Sequence, residues 1–260
     1  MKKNTLKTIL GLLTVLFIST SYAKDWKTIR IGVEGAYPPY SQTNPDGSVT
    51  GFDIDIANAL CAEIGAKCVL VVQDWDGMIP SLLARKFDAI IASMSITEER
   101  KKRVDFTNKY YSSPAKFVRK KGSGIVILNS ILKGKSVGVQ EETIMDRFVT
   151  DNWGDIVKVR RYGTQEKANL DLISGRLDLV FSEIAPAKDF IKSDSGKGFE
   201  LVGPSYSEKK WFGEGIGIAI RKKDQDLKEK LNKAIASIRS NGTYKIIQDK
   251  YFDYDIYGEE

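Results

Sequence analysis

The chain has 260 residues and a formal charge of +6, from 40 Lys and Arg against 34 Asp and Glu, and it contains no histidine. The missing imidazole excludes a Ser-His-Asp triad, a Cys-His dyad and an H-E-x-x-H zinc site. Acids and bases interleave nearly everywhere, which argues against a nucleic-acid binder, where Lys and Arg would gather on one face.

Lys2, Lys3 and Lys7 precede an apolar run over 9–18, and Ser21-Tyr22-Ala23 sets small residues at the positions a signal peptidase reads. Residues 1–23 are therefore expected to be a cleaved signal peptide, with the mature chain starting near Lys24. The apolar run is too short to span a bilayer, and no cysteine follows it for lipid attachment. The signal carries three lysines and no acid, so its removal lowers the formal charge to +3. The rest is long enough for one large or two medium domains with proper cores.

Periods of two and 3.6 then alternate. The pattern predicts a strand over 28–33, a helix over 52–64 with a stripe of Ile56, Ala57, Leu60, Cys61 and Ile64, a strand over 67–72, a helix over 78–86 and a strand over 87–92. Cys61 and Cys68 are the only cysteines, and in an exported chain they read as a local disulfide rather than a metal site or a nucleophile. After the strand come Ser93, Ser95 and Thr97. Thr97 fits a helix N-cap, with Glu98 and Glu99 in the first turn and Arg100 behind them. Hydroxyls, free N–H groups and a guanidinium at one strand end suit a small anion such as a carboxylate.

The alternation restarts with a strand over 136–139, a helix over 144–153, a strand over 156–159, a helix over 165–174 and a strand over 177–181. Such alternation predicts an α/β architecture with a largely parallel sheet. Residues 83–90 match residues 173–180 in character position by position, which aligns Asp88 with Asp178 and supports two similar lobes. Two segments qualify as crossings between lobes: Tyr111-Ser-Ser-Pro114, and 205–215 ahead of the alternating run 216–220. Helices over 226–240 and 243–251, broken at Asn241-Gly242, would then close the first lobe. Two crossings make a hinge, and a cleft between lobes suits a small ligand. Gly134-Lys135-Ser136 and the glycines at 213, 215 and 217 lack the spacing and placement of phosphate loops, so no nucleotide site is expected.

Gly32-Val-Glu-Gly-Ala-Tyr-Pro-Pro-Tyr40, Gly51-Phe-Asp-Ile-Asp55, Asp74-Trp-Asp-Gly-Met-Ile-Pro-Ser-Leu82, Ser93-Met-Ser-Ile-Thr-Glu-Glu-Arg100, Gly175-Arg-Leu-Asp178 and Tyr251-Phe-Asp-Tyr-Asp-Ile-Tyr-Gly258 occur in order along the mature chain. Together these motifs resemble the periplasmic amino-acid-binding proteins of ABC importers, in particular the lysine/arginine/ornithine and arginine/ornithine binders. The resemblance implies a two-lobe type II periplasmic binding protein fold, each lobe a mostly parallel sheet flanked by helices and joined by a two-segment hinge. Lobe 1 would comprise 24–113 and 212–260, and lobe 2 would comprise 114–211.

The resemblance also implies roles. Arg100 matches the clamp on the ligand α-carboxylate, with Ser93 and Ser95 beside it, and Glu183 matches the acid that receives the α-ammonium. Glu34 matches the acid set against a distal cation, while Tyr37 and Trp75 match aromatics that sandwich the aliphatic stem. Thr143 falls on a hydroxyl position at the carboxylate. The segment Glu142-Thr143-Ile144-Met145 departs from the Gly-Ser-Thr pattern of relatives by setting apolar groups where polar ones are usual, and Gln140, at a position often apolar, is a candidate to compensate. A basic amino acid carries one anion and two cations, and Arg100, Glu183 and Glu34 offer one partner to each.

The expectation is a non-enzymatic periplasmic binding protein, monomeric, without cofactor or metal. It would deliver arginine, ornithine or lysine to a membrane permease. An opine ligand, service to a chemoreceptor, and a periplasmic dehydratase on the same fold are the alternatives.

Overall fold

Residues 25–258 are described by the computed structural model, so the expected signal peptide lies outside the described residues. Two five-stranded sheets organise the chain. The first runs in the order Lys67–Val72, Thr28–Val33, Ala89–Ile90, Ile216–Ile220, Asp105–Tyr111. The second runs Lys158–Tyr162, Ser136–Gln140, Leu179–Glu183, Ala115–Lys120, Phe199–Tyr206. The two orders correspond place by place, and in each sheet the fourth strand alone runs against the other four.

The sheets are therefore mixed, for a topological reason. Ala115–Lys120 and Ile216–Ile220 are the strands by which the chain enters a sheet from the other one, the second after the short helix Lys209–Phe212. Strands reached through a helix from the same sheet return parallel to their predecessor, whereas a chain arriving from the other sheet enters at the opposite end. A helix or apolar cluster covers both faces of each sheet: Ile29, Ile31 and Val33 pack into one core while Ile90 and Ala219 pack into another, and Phe117 and Val118 divide the second sheet in the same way. Successive strand residues point to opposite faces, so a strand buried on both sides must be apolar throughout.

The internal match has a structural basis. The Asp88 N–H donates to the Arg30 carbonyl at 2.8 Å while Asp88 Oδ2 accepts from the Arg30 N–H at 3.2 Å. In the second sheet the Asp178 N–H donates to the Ser136 carbonyl at 3.1 Å and Asp178 Oδ2 accepts from the Ser136 N–H at 2.8 Å. Each aspartate thus docks the start of one strand onto its parallel neighbour.

Helix Phe52–Ile64 forms as expected, and Cys61 near its end is disulfide-bonded to Cys68 on the adjacent strand. Several boundaries differ from expectation, among them the strand expected over 177–181, which is Leu179–Glu183. The helix expected over 78–86 is Met78–Leu83, followed by a turn in which Arg85 takes a left-handed φ of 61° that helical hydrogen bonding cannot continue through. The strand expected over 87–92 pairs only at Ala89–Ile90, because the chain beyond it turns through Ser93, whose φ is 53°. The strand expected over 156–159 is Lys158–Tyr162, since the Ile156 and Val157 N–H groups both donate to the Trp153 carbonyl and prolong the helix end.

Candidate functional site

All nine residues expected to bind ligand line one narrow cavity between the two sheets: Glu34, Tyr37, Trp75, Ser93, Ser95, Arg100, Gln140, Thr143 and Glu183. Ala92, Ile144 and Met145 complete the wall. Topology explains the convergence. Glu34 follows Thr28–Val33, Ser93 follows Ala89–Ile90, Gln140 ends Ser136–Gln140 and Glu183 ends Leu179–Glu183. The carboxyl ends of the parallel strands of both sheets thus face one another, the position where open α/β sheets place ligands.

The anion side is built on the short helix Glu98–Lys101, whose cap Thr97 accepts the Arg100 N–H through its hydroxyl at 3.3 Å. Arg100 Nη1 donates to the Ser95 carbonyl at 3.1 Å, and the guanidinium carbon lies 5.1 Å from the centre of the Trp75 ring. Trp75 therefore stacks against Arg100 as well as walling the cavity. Burial lowers the Arg100 pKa to about 10, with the neighbouring Glu183 opposing the shift.

Opposite stands the start of helix Ile144–Trp153. Thr143 is its cap, accepting the Asp146 N–H at 3.2 Å while its hydroxyl donates to the Gln140 carbonyl at 2.7 Å. That hydroxyl hydrogen is already engaged, and the Asp146 N–H is capped, so the polar groups this end offers are the Ile144 and Met145 N–H groups at the helix start. The side chains at Ile144 and Met145 are apolar, but their backbone donors survive the departure from Gly-Ser-Thr.

The cationic side has two acids. Glu183 is 2 % exposed, and among the described residues its Oε2 has no hydrogen-bond partner. Burial pushes its pKa up to about 8, with the nearby Ser113 and Tyr40 hydroxyls opposing the shift. Glu34 Oε1 accepts from Gln140 Nε2 at 2.5 Å, and burial pushes Glu34 up to about 7. The Glu34–Gln140 contact joins the two sheets, as does the Tyr37 hydroxyl lying 3.5 Å from the Ser182 hydroxyl. Arg100, Glu34 and Glu183 leave the cavity one negative charge in surplus when all are ionised.

Asp53 has a role the motif reading did not assign. Buried in the first turn of Phe52–Ile64, it accepts the Ser93 N–H at 2.8 Å, the Ser93 hydroxyl at 3.2 Å and the Tyr110 hydroxyl at 2.8 Å. A signal was present: Asp53 shares the helical stripe of Ala57, Leu60 and Ile64, so an acid stood on an apolar face. Gly51 makes this turn available, since its φ is 134° and a Cβ would lie 2.3 Å from the Tyr40 carbonyl oxygen.

The model of the bacterial extracellular solute-binding proteins, family 3, matches residues 29–254. The L-arginine-binding protein of Pseudomonas aeruginosa is 50% identical over 253 residues, covering 96% of this chain and 97% of that protein. The lysine/arginine/ornithine-binding periplasmic protein of Escherichia coli is 39% identical over 258 residues, 97% of this chain and 99% of that one. Among solved structures, an ancestral arginine-binding protein bound to arginine superposes with a TM-score of 0.81 at 39% identity, covering 87% of this chain and 98% of the other.

Proposed function

The chain belongs to the bacterial extracellular solute-binding proteins, family 3, and on that premise we propose that it captures a basic L-amino acid in the periplasm and delivers it to the permease of an ABC importer. The ligand is arginine, ornithine or lysine. It is held between lobe 1, residues 24–113 and 212–260, and lobe 2, residues 114–211. The single observation that carries this reading is the buried, unpartnered Glu183 Oε2 in the same cavity as Glu34 and Arg100.

An unpaired buried carboxylate is costly and a cation relieves it. Arg100 takes the α-carboxylate, Glu183 the α-ammonium and Glu34 the distal cation, so ligand and site neutralise each other. A neutral amino acid would leave Glu34 without a cation, and an acidic one would set a carboxylate against it. The ligand first meets Trp75, Tyr37, Ser93 and Arg100, and closure then brings Gln140, Glu183 and the helix beginning at Ile144. Contacts with both lobes favour the closed form, which is what a permease can distinguish from the open one. The chain itself catalyses nothing; its relatives named above are binding proteins.

Titration calorimetry with arginine, lysine, ornithine, histidine, glutamate and glutamine tests the proposal. The cationic ligands bind and glutamate does not; a preference for glutamate or glutamine overturns it.

A further inference from the structure

Gln140 ends a strand of the second sheet and is 2 % exposed. Its Nε2 lies 2.5 Å from Glu34 Oε1 and 3.2 Å from the Gly163 carbonyl oxygen. A carbonyl oxygen can only accept, so the amide atom between these two groups is the nitrogen, and both of its hydrogens are committed. The carboxamide Oε1 is directed away from that junction and accepts from none of the described residues, and the same is true of Glu34 Oε2. Both side chains line the cavity. Its cationic end therefore offers two acceptors, one charged and one neutral, fixed relative to each other by the bond between their side chains.

Ligand cations use such a pair differently. A guanidinium is planar and presents its N–H groups in a rigid fork that engages two acceptors at once, whereas an ammonium is a compact charge that one carboxylate satisfies. We infer that Gln140 is the residue that makes this site prefer arginine to lysine and ornithine, by holding Glu34 from the opposite sheet and supplying the second acceptor for the guanidinium. The inference rests on the proposed function. It identifies which member of the basic class the site selects, and it assigns that selection to a residue of lobe 2 rather than to the carboxylate on lobe 1.

The test is calorimetry of the wild-type protein, Gln140→Leu and Gln140→Asn with arginine, lysine and ornithine. Wild type binds arginine about tenfold or more tightly than lysine, the effect of one additional hydrogen bond to a charged group. Gln140→Leu, which keeps the bulk and removes the amide, weakens arginine about tenfold and lysine by less than about threefold. Gln140→Asn retains an amide too short to reach Glu34 and gives the same narrowing, so a folding defect confined to the leucine variant does not obscure the result. Melting of the ligand-free variants at the wild-type temperature shows that each is folded. An equal loss for all three ligands makes Gln140 a general closure contact and overturns the inference, as does a wild-type protein without preference for arginine. A wild-type protein that binds no cationic amino acid instead refutes the proposed function itself.

Discussion

Asp53 and Ser93 are joined by two hydrogen bonds to a single carboxylate oxygen, Asp53 Oδ2 accepting the Ser93 N–H at 2.8 Å and its hydroxyl at 3.2 Å. Ser93 has a left-handed φ of 53°, a conformation that a residue with a side chain adopts only when its surroundings stabilise it. The acid on the helix Phe52–Ile64 thus shapes the turn that carries Ser93 and Ser95 into the cavity.

Replacing Asp53 by Ala strands the Ser93 N–H and the Tyr110 hydroxyl in the interior. Denaturant unfolding is expected to show a loss of about 2–4 kcal/mol, and calorimetry a weakening of every ligand alike. Asp53→Asn is expected to lie between wild type and Asp53→Ala, because the amide oxygen can keep the Ser93 bonds while the amide nitrogen cannot accept from the Tyr110 hydroxyl. An unstable Asn variant alongside a stable Ala variant would contradict this.

Arg100 and Glu34 divide recognition between the common and the variable parts of the ligand. Arg100→Ala is expected to weaken all amino acids by at least about 2 kcal/mol, since it removes the one cation among the described residues that line the cavity. Glu34→Gln is expected to cost cationic ligands about 1.5–3 kcal/mol and to leave neutral ones unchanged or improved. Equal losses across ligands for both variants would show that the division does not exist.

Binding is expected to release protons. In the ligand-free protein burial holds Glu183 up to about 8 and Glu34 up to about 7, so both are partly protonated near neutrality. A ligand cation favours the ionised form and draws these values down. Arginine affinity therefore rises with pH through this range, by up to about tenfold per pH unit for each proton displaced. Calorimetry at neutral pH in buffers of different ionisation enthalpy reports the protons directly, and identical heats in phosphate and Tris would refute the linkage. The stability of the ligand-free protein has the opposite sign. Its raised folded-state pKa values mean that the native state binds protons more tightly than the unfolded chain. The contribution of these two groups to stability is therefore full at acidic pH and declines as pH rises from about 4.5 to about 8.

The disulfide is expected to act on stability alone. Cys61 and Cys68 close a loop of sequence separation 7 at the helix Phe52–Ile64, and neither lines the cavity. Replacing both by Ala should lower unfolding free energy by about 2–3 kcal/mol with arginine affinity preserved; a large loss of affinity would place the bridge in the binding mechanism.

Much of the site was legible in the chain because its parts lie where strands end. Apolar runs announce buried parallel strands, and the polar residues that break them, Glu34, Ser93, Gln140 and Glu183, fall at the carboxyl ends that face the cleft. The Leu83 to Ile90 and Ile173 to Val180 match was legible for a similar reason, since Asp88 and Asp178 perform the same docking in each sheet. Local pattern also yields Thr97 as a cap, because a cap is made within one turn.

Other features depend on distance along the chain and could be decided only by the tertiary structure. The mixed sheets follow from two crossings whose direction no local period records. The engagement of the Thr143 hydroxyl by Gln140, the hold of Asp53 on Ser93 forty residues away and the Glu34–Gln140 bond spanning 106 residues each depend on where the folded chain brings its ends together. By itself the sequence determined the α/β alternation and the hydroxyl-and-arginine segment from Ser93 to Arg100, since these follow from hydrophobic period and residue type, while the other cavity residues were named through the family resemblance of their motifs. Which donors and acceptors remain free for a ligand was decided by tertiary packing, because a hydrogen-bonding group is available only when no neighbour has already satisfied it.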